Sequence, residues 1–198
     1  MEHFYEKIDG WFTFNKLYSD MVGSGSDTSI FVEVGTWKGR SAAYMAVEIA
    51  NSKKNIKFYC VDPWTGESQD GKDGKTHPEY NCIEIVENTL FNTFLTNIEP
   101  VKDYIIPLRM YSEEAYLQFE DSSLDFVFID ASHDFKNVKK DIDLWLPKIK
   151  SGGVIGGHDY HTKFPGVIKA VESFHHDSNE ISSRYVDKKN RVWYSFKK

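Results

Sequence analysis

The sequence predicts an α/β fold: one Rossmann-like, doubly wound sheet, mostly parallel, ending in a C-terminal antiparallel hairpin. Three observations predict it. Short β-rich runs alternate with amphipathic, helix-length stretches, the pattern of βαβ units. The first run leads through a glycine-punctuated turn into an Ala-rich helix, the opening unit of an open sheet that binds ligands beyond its strand ends. The last two β-rich runs flank the polar stretch Asp187-Lys-Lys-Asn190, which reads as a hairpin. The 198 residues suffice for one such domain with a full core and not for two typical ones. Residues 1–198 are therefore read as a single domain, with an N-terminal helical segment over 1–29.

The elements follow in order. Residues 11–22 carry Trp11, Phe14, Tyr18 and Met21 or Val22 at helical spacing, so an amphipathic helix is expected, with Trp11, Phe12 and Phe14 in the core. Residues 30–34 are the first strand, and 41–50 the helix after Gly35 and Gly39. Gly35 allows a tight turn, and Gly39 lets the helix start close to a ligand. Residues 56–61 are the second strand, stopped by Pro63, which has no donor for the ladder. Residues 65–81 are rich in glycine and charge and almost empty of apolar side chains, so a mobile loop is expected, either a lid over the acceptor or a surface insertion. Ile83, Val86, Leu90 and Phe94 repeat as a helix over 82–94. Residues 104–108 read as the third strand, and Ser112 as the N-cap of a helix with Glu113 and Glu114 in its first turn. Residues 124–129 are the fourth strand, nearly all apolar, as a buried parallel strand should be. Val138, Ile142, Trp145, Leu146 and Ile149 mark a helix that Pro147 should kink and Gly152-Gly153 should end. A short fifth strand over 154–157 precedes a helix over 164–174 with Pro165 in its first turn. Residues 182–186 and 191–196 form the hairpin.

Composition excludes several classes. A net charge of -6 argues against a nucleic-acid-binding surface. There are two cysteines; Cys60 lies in an apolar strand pattern and reads as a buried hydrophobe, so no disulfide framework or zinc spacing is expected. The N-terminus has no apolar signal core and no long apolar run follows, so no membrane partner and a cytoplasmic location are expected. Oligomeric state leaves no trace in the sequence.

The chemistry starts at Glu33-Val-Gly35-Thr36-Trp37-Lys-Gly39-Arg-Ser41. The dinucleotide fingerprint needs a third glycine, and a P-loop needs Lys-Ser/Thr after its last glycine; neither is present. Glu33 at the strand end would repel a pyrophosphate and suit a cation. S-adenosylmethionine (SAM), with its sulfonium and ammonium, fits. The motif Glu33-x-Gly35-x-x-x-Gly39-x-Ser41 resembles motif I of class I SAM-dependent methyltransferases, with spacing most like small-molecule O-methyltransferases, including the catechol O-methyltransferase type. Later segments resemble a broad bacterial and phage methyltransferase group. The resemblance implies SAM bound by Glu33, Gly35, Thr36, Trp37, Gly39 and Ser41, with Asp130 also among the cofactor contacts. Asp62 lies about twenty residues beyond the glycines, where the acidic ribose ligand of an α/β nucleotide site belongs. Trp64 is expected to stack on the adenine or to pack at the strand end. The resemblance also places Ser112 beside the adenine and an N-terminal helix near the acceptor, which gives Trp11, Phe12 and Phe14 a second reading as a site wall.

Glu33, Asp62, Asp130, His133, His158 and Asp159 all fall at carboxyl ends of strands about 4.8 Å apart and should converge. Asp130, His133 and His158 are the catalytic candidates, with His133 as general base for a hydroxyl acceptor or as a structural His holding its turn. In metal-dependent relatives the same two strand ends supply an Asp and a consecutive oxygen-ligand pair. Asp130 and Asp159 match and His158 departs, so a divalent metal held by Asp130, His158 and Asp159 is expected as magnesium or, given the imidazole, manganese, iron or zinc. The metal-free alternative has a histidine take the proton while Asp159 orients it. The function expected is SAM-dependent O-methylation of a small molecule, against a non-catalytic SAM- or nucleotide-binding module or an NAD-dependent oxidoreductase. The acceptor's identity is not legible.

Overall fold

The computed structural model describes residues 1–65, 84 and 87–198. The expected mobile loop over 65–81 lies outside the described residues from 66 onward, as do residues 82, 83, 85 and 86 of the helix expected over 82–94; the described helix there runs over Leu90–Ile98, so it starts and ends later than expected. Within them, a seven-stranded sheet runs in the order β3-β2-β1-β4-β5-β7-β6. The strands are β1 (Ile30–Val34), β2 (Lys57–Asp62), β3 (Ile106–Arg109), β4 (Leu124–Ile129), β5 (Ile149–Gly157), β6 (Tyr185–Asp187) and β7 (Val192–Phe196). The first five pair in parallel, and β7 joins β5 and β6 antiparallel. The helices are α1 (Asn15–Ser24), α2 (Arg40–Ser52), α3 (Leu90–Ile98), α4 (Ser112–Ala115), α5 (Phe135–Trp145) and α6 (Pro165–Asp177). None of the described helices is long and apolar enough to cross a membrane.

Side-chain alternation along the strands builds two cores. Phe31, Phe58, Phe126 and Phe128 face α1, α2 and α3, whereas Val32, Val34, Val61, Val127 and Ile129 face α5 and α6. Strand order reverses between β1 and β4, whose carboxyl ends lie side by side. That switch point is where an open α/β sheet leaves a crevice. Gly35 closes it at the base: its φ is +87°, and a Cβ there would run into the backbone of Asp130 and Ala131. Glycine is required twice over, by conformation and by close approach.

Several boundaries differ from the sequence reading. The first helix begins at Asn15. Phe14 precedes it and packs on Phe128, with ring centroids 4.4 Å apart, so the chain reaches the core before it coils. Trp11 is 57% exposed and belongs to no core, whereas Phe14 is 2% exposed. Ser112 is not the N-cap. Tyr111 holds that place, its N–H donating to the Glu114 carboxylate at 3.3 Å, and the Ser112 hydroxyl instead donates to Asp141 at 2.6 Å and accepts from the Trp145 indole at 2.9 Å. Pro147 does not kink α5, which ends at Trp145; it sits in a 3-10 turn, Leu146–Lys148. Ile149 already starts β5, whose register shifts against β4 between Leu124 and Phe126.

Gly35→Ala should cost about 3 kcal/mol or more, from left-handed strain and overlap together. Gly152→Ala, at a φ of +78° with nothing within 4 Å of a new Cβ, should cost only about 1–2 kcal/mol. Urea midpoints that shift equally would show that close approach contributes nothing.

Candidate active site

The turns after β1 and β2 are stitched together by one carboxylate. Asp62 Oδ2 accepts the backbone N–H groups of Thr36 and Trp37, both at 2.9 Å, and Oδ1 accepts that of Trp64 at 2.6 Å. Trp37 and Trp64 both have positive φ, 52° and 51°, and the Trp64 indole N–H donates to the Trp37 carbonyl at 2.7 Å. Asp62 therefore spends three of its roughly four lone-pair sites on backbone and keeps about one for a ligand hydroxyl, less than the paired contact expected from its position. Burial raises its pKa, and the three N–H groups oppose that rise.

Trp64 does not offer a face to an adenine. It is 1% exposed and packs between Phe91 and Phe94 at 4.7 and 4.6 Å, because its N–H is drawn inward by Trp37. Gly39 is likewise a packing glycine rather than a ligand approach. A Cβ there would lie 2.9 Å from Phe94 and 3.0 Å from Ile98.

Glu33 is fully buried under the glycine turn and lies on neither cavity wall. Tyr18 donates to Oε2 at 2.8 Å and Ser41 to Oε1 at 2.5 Å. Burial pushes the Glu33 pKa up to about 8 against both hydroxyls. Ser41 reaches a cavity wall, but its hydroxyl is committed to Glu33.

Two cavities flank the switch point. One, about 600 Å³ and within the usual range for small ligands, runs past Val61, Asp62, Pro63, Tyr111, Ser112 and Asp141. Asp141 is pushed up to about 6 by burial, with its Ser112 bond opposing. The other is walled by Trp11, Thr36, Arg40, His133, His158 and Asp159, among others. Gly35, Trp37, Asp130 and Ala131 line both, so the cavities meet over the ends of β1 and β4.

Asp130, His133, His158 and Asp159 converge in the second cavity as the sequence predicts. His158 Nδ1 is 3.5 Å from Asp130 Oδ1 and 3.5 Å from Asp159 Oδ1. Asp159, held at a φ of 59°, turns its other oxygen to His133 Nε2 at 2.8 Å. His133 stacks on Phe164, centroids 4.1 Å apart. The far side of His158 fixes its tautomer. Thr13 donates its only hydroxyl proton to the Asn190 carbonyl at 2.6 Å, so His158 Nε2, 2.9 Å from that hydroxyl, must be the donor. What Nδ1 presents to the two carboxylates is then either a proton or a lone pair. Burial would lower the His158 pKa, but Asp130 and Asp159 outweigh it and hold it at about 10. Burial raises Asp130. Asp159 also feels burial, yet its bonds to both histidines leave it well below the usual carboxylate range.

Tyr18, Thr13 and Asn190 escaped the sequence reading. Tyr18 has the spacing of a core aromatic, which it also is. The Thr13–Asn190 bond joins residues too distant for any local pattern.

A family model described as a methyltransferase domain matches residues 32–160. The chain belongs to this family, and its sheet order makes it a class I SAM-dependent methyltransferase domain. Among solved structures, the O-methyltransferase NovP superposes with a TM-score of 0.69 at 15% identity, covering 93% of this chain and 79% of that one. An O-methyltransferase from Bacillus cereus in complex with SAH gives 0.62 at 16% identity, covering 96% and 83%. An uncharacterised protein of Sinorhizobium fredii is 24% identical over 164 residues, 83% of this chain and 16% of its own length. An uncharacterised protein of Acanthamoeba polyphaga mimivirus is 27% identical over 150 residues, 73% of this chain and 58% of its own. The chain thus spans less than two thirds of either curated relative.

Glu33 has a sign-definite consequence. A carboxyl whose pKa rises from 4.5 to about 8 on folding binds more protons folded than unfolded between those pH values. Stability therefore falls as pH rises through that window, by up to about 1.4 kcal/mol per pH unit from this group. Glu33→Gln, a mimic of the neutral form, should lose this slope and exceed wild type in stability at pH 8. Parallel stability–pH curves for the two proteins would show that Glu33 is ionised without penalty.

Proposed function

We propose that this domain methylates a hydroxyl oxygen of a small-molecule acceptor, using SAM as donor. The observation that carries the reading is the junction of the two cavities at Gly35 and Asp130, with the His133–Asp159 pair on one side only. SAM supplies a methyl group on a sulfonium, already a good leaving group, so alignment and proton removal are what remain for the protein. The larger cavity takes the cofactor, with Asp62 accepting a ribose hydroxyl through its remaining lone pair and Ser112 and Asp141 beyond it. The second cavity takes the acceptor. His133 accepts the acceptor's hydroxyl proton as the oxygen–methyl bond forms and the sulfur–methyl bond breaks, and Asp159 stabilises the resulting imidazolium. The names of the O-methyltransferase neighbours support oxygen as the atom methylated.

Asp130, His158 Nδ1 and Asp159 also fit a divalent ion. Their ligand atoms lie within 4.8 Å of one another. Metal–ligand bonds of about 2.0–2.2 Å place neighbouring ligands about 3–3.5 Å apart, near the spacing found here. With Nε2 committed to Thr13, only Nδ1 can ligate, and neutral His158 between two carboxylates leaves two negative charges to balance. When bound, the ion would lower the pKa of the acceptor hydroxyl. An imidazole donor favours manganese, iron or zinc over magnesium.

Four measurements test this. Mass spectrometry of the denatured purified protein should release SAM or SAH, and calorimetry should show SAM binding that Asp62→Ala weakens by about 1.5–3 kcal/mol; unchanged affinity would remove Asp62 from the site. His133→Ala should lower turnover about 10²–10⁴-fold with SAM affinity intact, and full turnover would refute the base. Manganese titrated into metal-stripped protein should bind, and Asp159→Asn should abolish it; no binding by wild type would leave the histidines to act alone.

A further inference from the structure

The acceptor cavity carries charge that the proton transfer does not use. Its acids are all matched: Asp9 by Lys38 at 2.9 Å, Asp130 by His158 at 3.5 Å, Asp159 by His133 at 2.8 Å. Its cations are not. Arg40, Lys163 and Arg191 line the same cavity, and none has a carboxylate partner among the described residues.

Each of the three is placed rather than loose. Arg40 donates through Nη1 to the Gly10 carbonyl at 2.7 Å, while its Nε is buried with no hydrogen-bond partner. A buried N–H left unmatched costs about 1–3 kcal/mol. Gly10 adopts a φ of +135°, open to glycine, at the bend that receives this bond. Lys163 lies over the Phe164 ring at 5.2 Å, and Phe164 stacks on His133. Arg191 follows Asn190, whose carbonyl anchors Thr13 and through it His158, and the Arg191 carbonyl accepts the Tyr160 N–H at 3.0 Å. Lys163 and Arg191 are thus tied by ring and backbone contacts to the segments that hold His133 and Asp159, and Arg40 to the N-terminal segment that carries Thr13.

We propose that the acceptor carries an anionic group, a carboxylate or a phosphate monoester, beside the hydroxyl to be methylated, and that Arg40, Lys163 and Arg191 bind it. The substrate-class statement rests on the methyltransferase reading; the anion site itself does not. Arginine forks and a lysine point charge around one cavity suit such oxyanions. The acid-and-imidazole floor then receives the hydroxyl while the basic wall holds the anion, which orients the acceptor along one direction.

The test uses the whole protein at constant ionic strength. Inorganic phosphate and acetate are titrated by calorimetry into wild type, the double variant Lys163→Ala/Arg191→Ala, and a charge control, Lys169→Ala/Lys188→Ala. The expected result is millimolar binding of one or both anions to wild type and control, weakened at least tenfold in the double variant, with SAM affinity unchanged. Whichever of the two binds identifies the anion. A second arm measures SAH formation with hydroxylated carboxylates, sugar phosphates and their neutral analogues. Turnover confined to anionic acceptors, with KM raised at least tenfold and kcat retained in the double variant, is expected. No anion binding by wild type, equal binding by the double variant, or equal turnover of neutral analogues overturns the inference while leaving SAM chemistry in place. Failure of wild type to bind SAM overturns the methyltransferase reading instead, and anion binding lost in the double variant would still support the basic wall as a site.

Discussion

The contact on which the site depends is that of Gly35 with the Asp130 backbone. No side chain fits between them. Because of this, the ends of β1 and β4 close to van der Waals distance, and the two cavities meet there over shared lining residues. The Asp62 carboxylate then holds the loop after Gly35 through the Thr36 and Trp37 N–H groups. Below the loop, Glu33 ties α1 to α2 through Tyr18 and Ser41 and so supports the turn from the core side. The motif is better understood as a scaffold with three layers of support than as a row of ligands.

That distinction marks what the sequence could and could not reveal. Strand positions, the glycine turn and the acids at strand ends were legible because period-2 apolar runs and glycine punctuation are local signals. Convergence of Asp130, His133, His158 and Asp159 was legible because parallel strands align their ends. The direction of a side chain was not. Glu33 and Trp64 stand at ligand-like positions at strand ends, yet both side chains turn into the core, and the space beside Gly39 is filled by Phe94 and Ile98. The same limit explains Ser112, whose N-cap residue type is used in a buried bond to Asp141 on α5. The start of α1 was misplaced for a related reason: Trp11 and Phe14 keep helical spacing, but Phe14 is drawn into the sheet before the helix begins.

Electrostatics organises the second cavity by the same economy. Burial alone would neutralise Asp130 and His158, yet both sit within a few ångströms of an opposite charge, and the cluster stays polar in a place where water is scarce. Desolvation strengthens such pairings as well as penalising any member left unpaired. Asp159 is the pivot. One oxygen faces His158 and the other His133, so it links the group that shapes the floor to the group proposed to take the proton. Its positive φ is the backbone strain that lets one residue serve both.

The C-terminal hairpin now has a role beyond completing the sheet. Strand β7 pairs with β5 so that Trp193 lies opposite Gly157, immediately before His158. This register carries the preceding turn over the cluster, where the Asn190 carbonyl takes the Thr13 proton and obliges His158 to donate through Nε2. The N-terminal segment and the hairpin thus meet on the outer nitrogen of a histidine whose inner nitrogen faces Asp130 and Asp159. The chain leaves β5, crosses through α6 to β6 and turns tightly into β7. That turn carries the Asn190 carbonyl that receives the Thr13 hydroxyl. The antiparallel end of the sheet is, on this argument, what holds the proton of His158 on one side and leaves its other side open to the two carboxylates.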